Sequence, residues 1–477
     1  MRKTFLSILS SIFLGSIYCQ PVMTETEKLT DNMAQLAIKY MNAKKFDSAY
    51  TLMGEAFQKE ISLEKWNTIN QTQLKSLFPV KKMEFVGSKK NINKYKVESA
   101  VSLQLFVSLD DKKKIEVFLL QPYKDEDEKK KEPAATDNPK HSALDQVVSA
   151  VISDYIQVKD NVGVSVGIYF KGADYFYNYG ETAKKNNELP TMNTLYEIGS
   201  ISKTFTATLL AKAVVNGKAK LKDPIVKYLP DSVASNPSLK QITLEELANH
   251  TSGLPRLPAD LGAVATDPNQ PYANYDDKKL FSFLKNFTAI CKPGTLYEYS
   301  NLAVGLLGVI LERIYNAPYE QLIVQYIDGP LELPSIKITL TDDEKKLLTQ
   351  GYSEDNKAAP GWVFGSFKAA GALKSNTKDL LQYGKQQLSS AKNPLSKAIE
   401  LTHAPTFSDG KNKVGLGWHY AVGDSDKIIE HNGGTAGFRS VICVNRTTGT
   451  VVVVLTNNAS TGDALGIKLM HAAGKLN

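Results

Sequence analysis

The segment Asp125 to Lys140 reads DEDEKKKEPAATDNPK, with mixed-sign charge, Pro133 and Pro139, and no large apolar side chain. A stretch with nothing to bury cannot join a hydrophobic core, so it is expected to be a linker, placed over 124–141. Mixed-sign charge between two globular patterns favours a solvated spacer over an interaction tail. The chain is therefore expected to fold as two bodies, in keeping with 477 residues, which is long for one domain.

Ahead of the first body, Arg2 and Lys3 precede the apolar run Phe5-Leu6-Ser7-Ile8-Leu9 and Ile12-Phe13-Leu14, then small and polar residues. Residues 1–19 thus read as a secretory signal peptide and not as a buried N-terminal helix, and the protein is expected to be exported by a bacterium, periplasmic or secreted. Tyr18 stands where a lipoprotein signal wants a small residue, so acylation of Cys19 is not expected. No later stretch is long and apolar enough to span a bilayer. With 42% hydrophobic and 22% charged residues the composition excludes collagen-like, mucin-like and wholly disordered chains. The net charge of +7, or +5 once Arg2 and Lys3 leave, is too mild for the basic stripe of a nucleic-acid binder, though compatible with an anionic wall or membrane surface. Cys291 and Cys443 could pair in an oxidising compartment or remain two buried thiols.

In the first body, 24–123, apolar residues recur at helical spacing: Met33, Leu36, Ala37 and Tyr40, then Tyr50, Met53 and Phe57, then Leu63, Trp66 and Ile69. Three helices are implied. Strand-like runs follow at Met83–Val86, Val97–Val107 and Ile115–Leu119. Helices then strands make an α+β unit without a catalytic constellation, and it looks like the cone-shaped nuclear-transport-factor-like accessory domains. The second body, 142–477, opens with an amphipathic helix over Leu144–Ile156, a strand over Val162–Ile168 and its hairpin partner Ala173–Tyr179. A mostly helical stretch runs to about Lys413. A strand over Trp418–Val422, an edge-like strand over Arg439–Val444, a strand over Thr450–Leu455 and a helix from Ser460 to Lys475 close it. Strands at both ends with helices between imply one sheet assembled from both termini, again α+β.

Gly163-Val164-Ser165-Val166-Gly167 is a literal G-x-S-x-G, but the nucleophile elbow needs a sharp strand-to-helix turn and Ser165 lies inside an alternating strand. Small residues packed on one strand face explain it. Ser200-Ile201-Ser202-Lys203 is an S-x-x-K tetrad before the helix-compatible run Thr204–Val215, which puts Lys203 one turn on, on the same face as Ser200. A serine hydroxyl needs a neighbour to take its proton, and a helix start favours developing negative charge. Taken alone, an exposed helix start explains the tetrad equally well. Tyr299-Ser300-Asn301 follows Lys292-Pro293-Gly294-Thr295 and precedes the apolar helix Leu302–Ile314. By itself it reads as a tyrosine packed before a helix cap. His431-Asn432-Gly433 leads into Gly434-Thr435-Ala436-Gly437-Phe438, where glycines let another backbone approach, as strand-wise substrate binding requires.

In this order, the three pieces resemble the S-x-x-K, Y-x-N and [KH]-x-G elements of the penicillin-recognising serine hydrolases. That branch holds class C β-lactamases, D,D-carboxypeptidases, D-aminopeptidases and family VIII esterases. The resemblance extends to Asp223-Pro224, Tyr228-Leu229-Pro230, His250-Thr251-Ser252-Gly253-Leu254-Pro255, Ala370-Gly371-Ala372-Leu373 and Gly415-Leu416-Gly417-Trp418. It implies Ser200 as nucleophile, Lys203 as its neighbouring cation or base, and Tyr299 as general base and then acid, its pKa drawn down by Lys203. It also implies that Asn301 holds Lys203 and the substrate amide, and that the N–H groups of Ser200 and Gly434 form the oxyanion hole beside His431 and Gly433. No metal or other cofactor is needed; the six histidines show no ligand spacing, and His250 reads as structural.

His431 stands where β-lactamases have lysine, and Asn432 and Gly434 stand where hydroxyl residues help read a substrate carboxylate. The sequence therefore predicts an acyl-serine hydrolase of D-amino-acid peptides or related amides, with carboxylesters next. Weaker β-lactamase activity and a catalytically silent binder of peptide or wall fragments are the remaining readings.

Overall fold

The computed structural model describes residues 23–123 and 133–476 apart from 73, 75, 76, 90, 159, 391, 422, 424–426 and 461, so the segment 1–19 expected to be a signal peptide and residues 124–132 of the expected linker lie outside the described residues. The chain divides into two compact units at Lys129/Lys130. Both are α+β.

The first unit starts with α1 (Glu25–Asn42), closed by a capping box between Thr24 and Glu27. Two short helices, α2 (Phe46–Tyr50) and α3 (Glu55–Glu60), and α4 (Leu63–Thr72) follow. An antiparallel meander completes the unit: β1 (Lys82–Lys89), β2 (Ile92–Glu98), β3 (Ser102–Leu109) and β4 (Ile115–Pro122), paired in chain order. The single run expected over Val97–Val107 is in fact the end of one strand and most of the next. Ser99 breaks it, its hydroxyl donating to Val101 O at 3.0 Å while its own N–H bonds the same carbonyl. Alternate residues Tyr95, Val97, Leu103, Leu105 and Val107 turn inward on Ala34, Ala37, Ile38 and Met41.

The second unit is built on an eight-stranded antiparallel sheet in the order β6-β5-β14-β13-β12-β11-β10-β9. Here β5 is Gly163–Phe170, β6 Ala173–Gly180, β9 Phe407–Ser408, β10 Lys413–Val414, β11 His419–Tyr420, β12 Ile428–Gly434, β13 Arg439–Asn445 and β14 Thr450–Thr456; β7 (Tyr196–Glu197) and β8 (Lys374–Ser375) pair apart from it. Strands from both chain ends do meet in one sheet. One face packs on α5 (Ala143–Ile156) and the C-terminal helix Leu465–Gly474 through Val164, Val166, Val452 and Val454; the other meets the helical lobe through Val451, Val453, Leu455 and Ile442. Each such buried side chain stabilises the fold by about 1.5–3 kcal/mol.

Three expectations change. Arg439–Val444 is no edge: β13 lies between β12 and β14, and the His431 motif itself is strand, although Asn432 and the glycines are poor strand formers. Residues 133–141, expected to be linker, belong to the second unit. Gly180 N donates to Ala135 O at 2.8 Å, Asp137 accepts from the backbone and side chain of Asn178 at 2.7 and 2.6 Å, and Asn138 Nδ2 reaches Tyr179 Oη at 2.6 Å. Of the strand expected over Trp418–Val422, Val422 lies outside the described residues, and among residues 418–421 only His419–Tyr420 is strand. Cys291 and Cys443 are both free thiols. Among the described residues no helix is long and apolar enough to cross a membrane.

Candidate active site

Ser165 is fully buried on β5, its hydroxyl 2.9 Å from Tyr196 Oη, which leaves no route to a substrate. Ser200 sits in a 3₁₀ turn (Gly199–Ile201) that runs straight into α6 (Ser202–Val215). Gly199 takes φ +48°, and a Cβ there would stand 2.7 Å from Gly434 N. A Cβ on Gly433 would stand 2.1 Å from Ile198 O and 2.9 Å from Ser200 N. The end of β12 therefore lies backbone to backbone on the serine turn, and Ser440 Oγ pins Ile198 O from the next strand at 2.8 Å.

Lys203, 1% exposed, places Nζ 2.9 Å from Ser200 Oγ and donates to Ala370 O at 2.6 Å. Burial, reinforced by the Arg256 charge, holds its pKa well below the ordinary 10.5. Tyr299 hydrogen-bonds the Ser200 side chain, and Lys203 Nζ lies 4.9 Å from its ring centroid. Burial pushes the phenol up, against smaller lowering effects of Ser200 and Arg256. The expected depression of Tyr299 by a charged Lys203 is thus reversed: burial disfavours both ions, drawing the lysine down and pushing the phenol up.

Ser300 caps the helix Asn301–Tyr315, accepting from Ala303 N at 2.9 Å and donating to Pro255 O at 2.7 Å. Arg256 O accepts from Asn301 N and Leu302 N at 3.1 and 3.2 Å, and His250 Nδ1 accepts from Ser300 N at 3.2 Å. The loop 250–256 and the tyrosine motif are thereby one frame, with the His250 ring 4.4 Å from that of Tyr299. Asn301 does not hold Lys203, whose partners are Ser200 and Ala370. It hydrogen-bonds Tyr272 and leaves Oδ1 buried without a protein partner at the cavity wall.

The cavity over Ser200 measures about 730 Å³ and includes Tyr299, Asn301, Gly433 and Gly434 in its lining. His431 is absent from that lining. It is fully buried behind Tyr299, with ring centroids 6.2 Å apart, and faces a smaller cavity of about 210 Å³ shared with His419. Its Nδ1 lies 2.6 Å from Asn432 O, so this nitrogen carries the proton, and Nε2 is an unpaired acceptor. Burial, then the neighbouring His419 and Lys203, keep its pKa well below 6.5.

Sequence reasoning missed Arg256, Tyr272, Trp362 and Arg439 in the main cavity, and Glu197 beneath it. Glu197 Oε1 accepts from Trp362 N at 3.1 Å, and Gln270 clamps the same loop through Gly361 O and Val363 N at 2.7 and 2.9 Å. Tyr272 and Phe364 stack with centroids 5.4 Å apart, giving one wall an aromatic face. Arg256, Glu197 and Arg439 carried a signal, standing beside motifs already singled out; Tyr272 and Trp362 did not.

The fold and this constellation define a serine-hydrolase-type enzyme. The sequence profile of the Beta-lactamase family matches residues 148–474, and the chain belongs to that family. It is 30% identical over 363 residues to a beta-lactamase of Pseudomonas fluorescens, covering 69% of this chain and 97% of the relative. With a beta-lactamase of Escherichia coli K12 it shares 28% over 280 residues, 58% of this chain and 70% of that one. Among solved structures it resembles the beta-lactamase/D-alanine carboxypeptidase of Pseudomonas syringae, with TM-score 0.62 and 26% identity over 70% of this chain and 99% of the other. A class C beta-lactamase gives TM-score 0.63 and 25% identity over 70% and 98%.

Proposed function

We propose that the protein is an exported hydrolase that opens amide bonds through an acyl-Ser200 intermediate, with β-lactams the first substrate class. The observation that carries this reading is Ser200 Oγ within hydrogen-bond reach of Lys203 Nζ and Tyr299, beside the backbone of Gly433 and Gly434. The names of the relatives favour β-lactams over the peptides that the sequence suggested first. D-amino-acid peptides are the second reading, favoured by the neutral, withdrawn His431 and by the Pseudomonas syringae protein's double description. Carboxylesters would follow the same chemistry.

In this reading Lys203, as a free amine, accepts the Ser200 proton while Oγ attacks the carbonyl carbon. The N–H groups of Ser200 and Gly434 hold the oxyanion. Asn301 Oδ1 accepts the substrate's amide N–H, and Tyr299, still a phenol, hands its proton to the departing nitrogen and recovers one from Lys203. Water then attacks the acyl-serine by the same steps in reverse. The first unit acts as a nuclear-transport-factor-like accessory module, supported by its helices-then-meander order, and takes no part in the chemistry. A wall peptide is its natural neighbour in an exported protein.

Nitrocefin, D-Ala-D-Ala peptides and short esters assayed side by side, with Ser200→Ala as control, test the proposal. Turnover of nitrocefin that vanishes in Ser200→Ala supports the first reading; turnover of peptides alone supports the second. A folded chain that neither a fluorophosphonate nor a penicillin labels at Ser200 would be a binding module instead.

A further inference from the structure

The strand that carries the third motif offers no fixed positive charge to a substrate. His431 is buried and neutral, and Asn432 and Gly434 bring no hydroxyl. Two arginines nevertheless line the cavity over Ser200. They are not equivalent.

Arg439 is already matched. Its Nη2 lies 3.4 Å from Glu354 Oε1 and its Nε 3.9 Å from Asp463 Oδ1, while Nη1 donates to Thr435 O and Phe438 O at 3.4 and 3.2 Å. Arg256 stands beside Tyr299, with its main chain fixed by Asn301 and Leu302 and its Cζ 5.1 Å from the Tyr299 ring centroid. Its guanidinium has no carboxylate and no hydrogen-bond acceptor among the described residues. Contact with a ring uses none of the five N–H donors, so the planar fork that fits a carboxylate in bidentate fashion is free. The side chain is exposed, and its exposed surface opens onto the reaction cavity.

We infer that Arg256 is the anion-binding residue of this site and recognises a carboxylate carried by the substrate, the task that the third motif has given up. This rests on the acyl-Ser200 reading. The preferred substrates are amides or esters bearing a carboxylate that reaches the loop after Pro255, on the Tyr299 and Asn301 side of the cavity. An arginine fits this role where lysine would not, because its fork fixes the orientation of the anion as well as attracting it.

The test uses the full chain and two isosteric ester pairs. One pair carries carboxylate or carboxamide on the acyl group: the 4-nitrophenyl esters of 3-(4-carboxyphenyl)propanoic and 3-(4-carbamoylphenyl)propanoic acids. The other carries it on the leaving group: the acetates of 4-hydroxybenzoate and 4-hydroxybenzamide. In at least one pair the carboxylate is expected to be preferred by about tenfold or more in kcat/KM, equivalent to about 1.4 kcal/mol. Arg256→Gln should bring that ratio close to one, and Arg256→Lys should retain part of it. A residue that only tuned Lys203 would change both members of a pair alike and leave the ratio where it was, which would overturn the inference. So would a labelled, active Ser200 with no carboxylate preference in either pair. Failure of every ester together with failure of fluorophosphonate labelling would overturn the acyl-serine reading, and this inference with it.

Discussion

Replacing Gly433 with alanine puts a carbon 2.1 Å from Ile198 O and 2.9 Å from Ser200 N. Ile198 O cannot retreat freely, because Ser440 Oγ holds it at 2.8 Å. Since ordinary contacts of this kind begin near 3 Å, the end of β12 must withdraw by about 1 Å, a misplacement that can cost about 10²-fold in rate. Because the oxyanion donors of the proposed mechanism sit on the two backbones being pushed apart, the loss should approach the 10²–10³ typical of one missing donor. Overpacking adds about 1–3 kcal/mol of destabilisation. The assay is single-turnover acylation of Ser200 by a 4-nitrophenyl ester, with thermal unfolding alongside. Gly474→Ala is the control, since a Cβ there meets nothing. Acylation by Gly433→Ala within about threefold of wild type would refute the reasoning, because so small an effect is far below the loss of an oxyanion donor.

Ser200→Ala should abolish labelling and turnover, whereas Ser165→Ala should keep both while losing about 1–3 kcal/mol of stability as Tyr196 Oη loses its partner; the reverse pattern would move the nucleophile to Ser165. Tyr299→Phe should slow release of the leaving group by about 10²- to 10⁴-fold. An unchanged rate would assign all proton transfer to Lys203. Burial holds His403 at about 3 and His419 at about 4, so both are neutral in the native state at pH 5. The unfolded chain, titrating near 6.5, then binds more protons, and stability that is complete above pH 6.5 is lost as pH falls, by about 2 kcal/mol per group at pH 5. Thermal unfolding should show a steep drop in Tm between pH 7 and 5 that His403→Gln makes shallower, and a flat profile would mean these imidazoles reach solvent.

The motifs were legible because each packs its chemistry into three or four consecutive residues: a hydroxyl and an amine one helical turn apart, a tyrosine at a helix start, glycines that admit a neighbouring backbone. What escaped was set by burial and by distant partners. Histidine at 431 is neutral near pH 7 on any reading, but its withdrawal behind Tyr299 depends on which face of β12 turns inward. Whether Lys203 serves as cation or base was open in the sequence, and its burial along α6 with the Arg256 charge nearby, which draw its pKa down, come from the fold. Strand β12 was hidden because Asn432, Gly433 and Gly434 have little strand propensity, and pairing with β13 on one side and β11 on the other overrides it. The polar run 133–141 looked like spacer because Asp137 and Asn138 were taken as solvated, whereas their side chains satisfy Asn178 and Tyr179.

That last segment has a bearing on how the enzyme keeps to itself. The large sheet ends at β6 on one side and at the two-residue β9 on the other. Of the two, β6 is the longer and would offer a foreign strand a row of open backbone groups, the usual seed of edge-to-edge association. Ala135 and Asp137 occupy the end of that row, through Gly180 N and Asn178 O, and Ala134 packs against the apolar layer beneath. The strap works as insulation at one end of the longer open border of this sheet. A shortened protein that began at Pro139 would strip it off and lengthen the open edge available to strand-mediated dimers, while one that began at Lys130 would keep the 178–180 end covered.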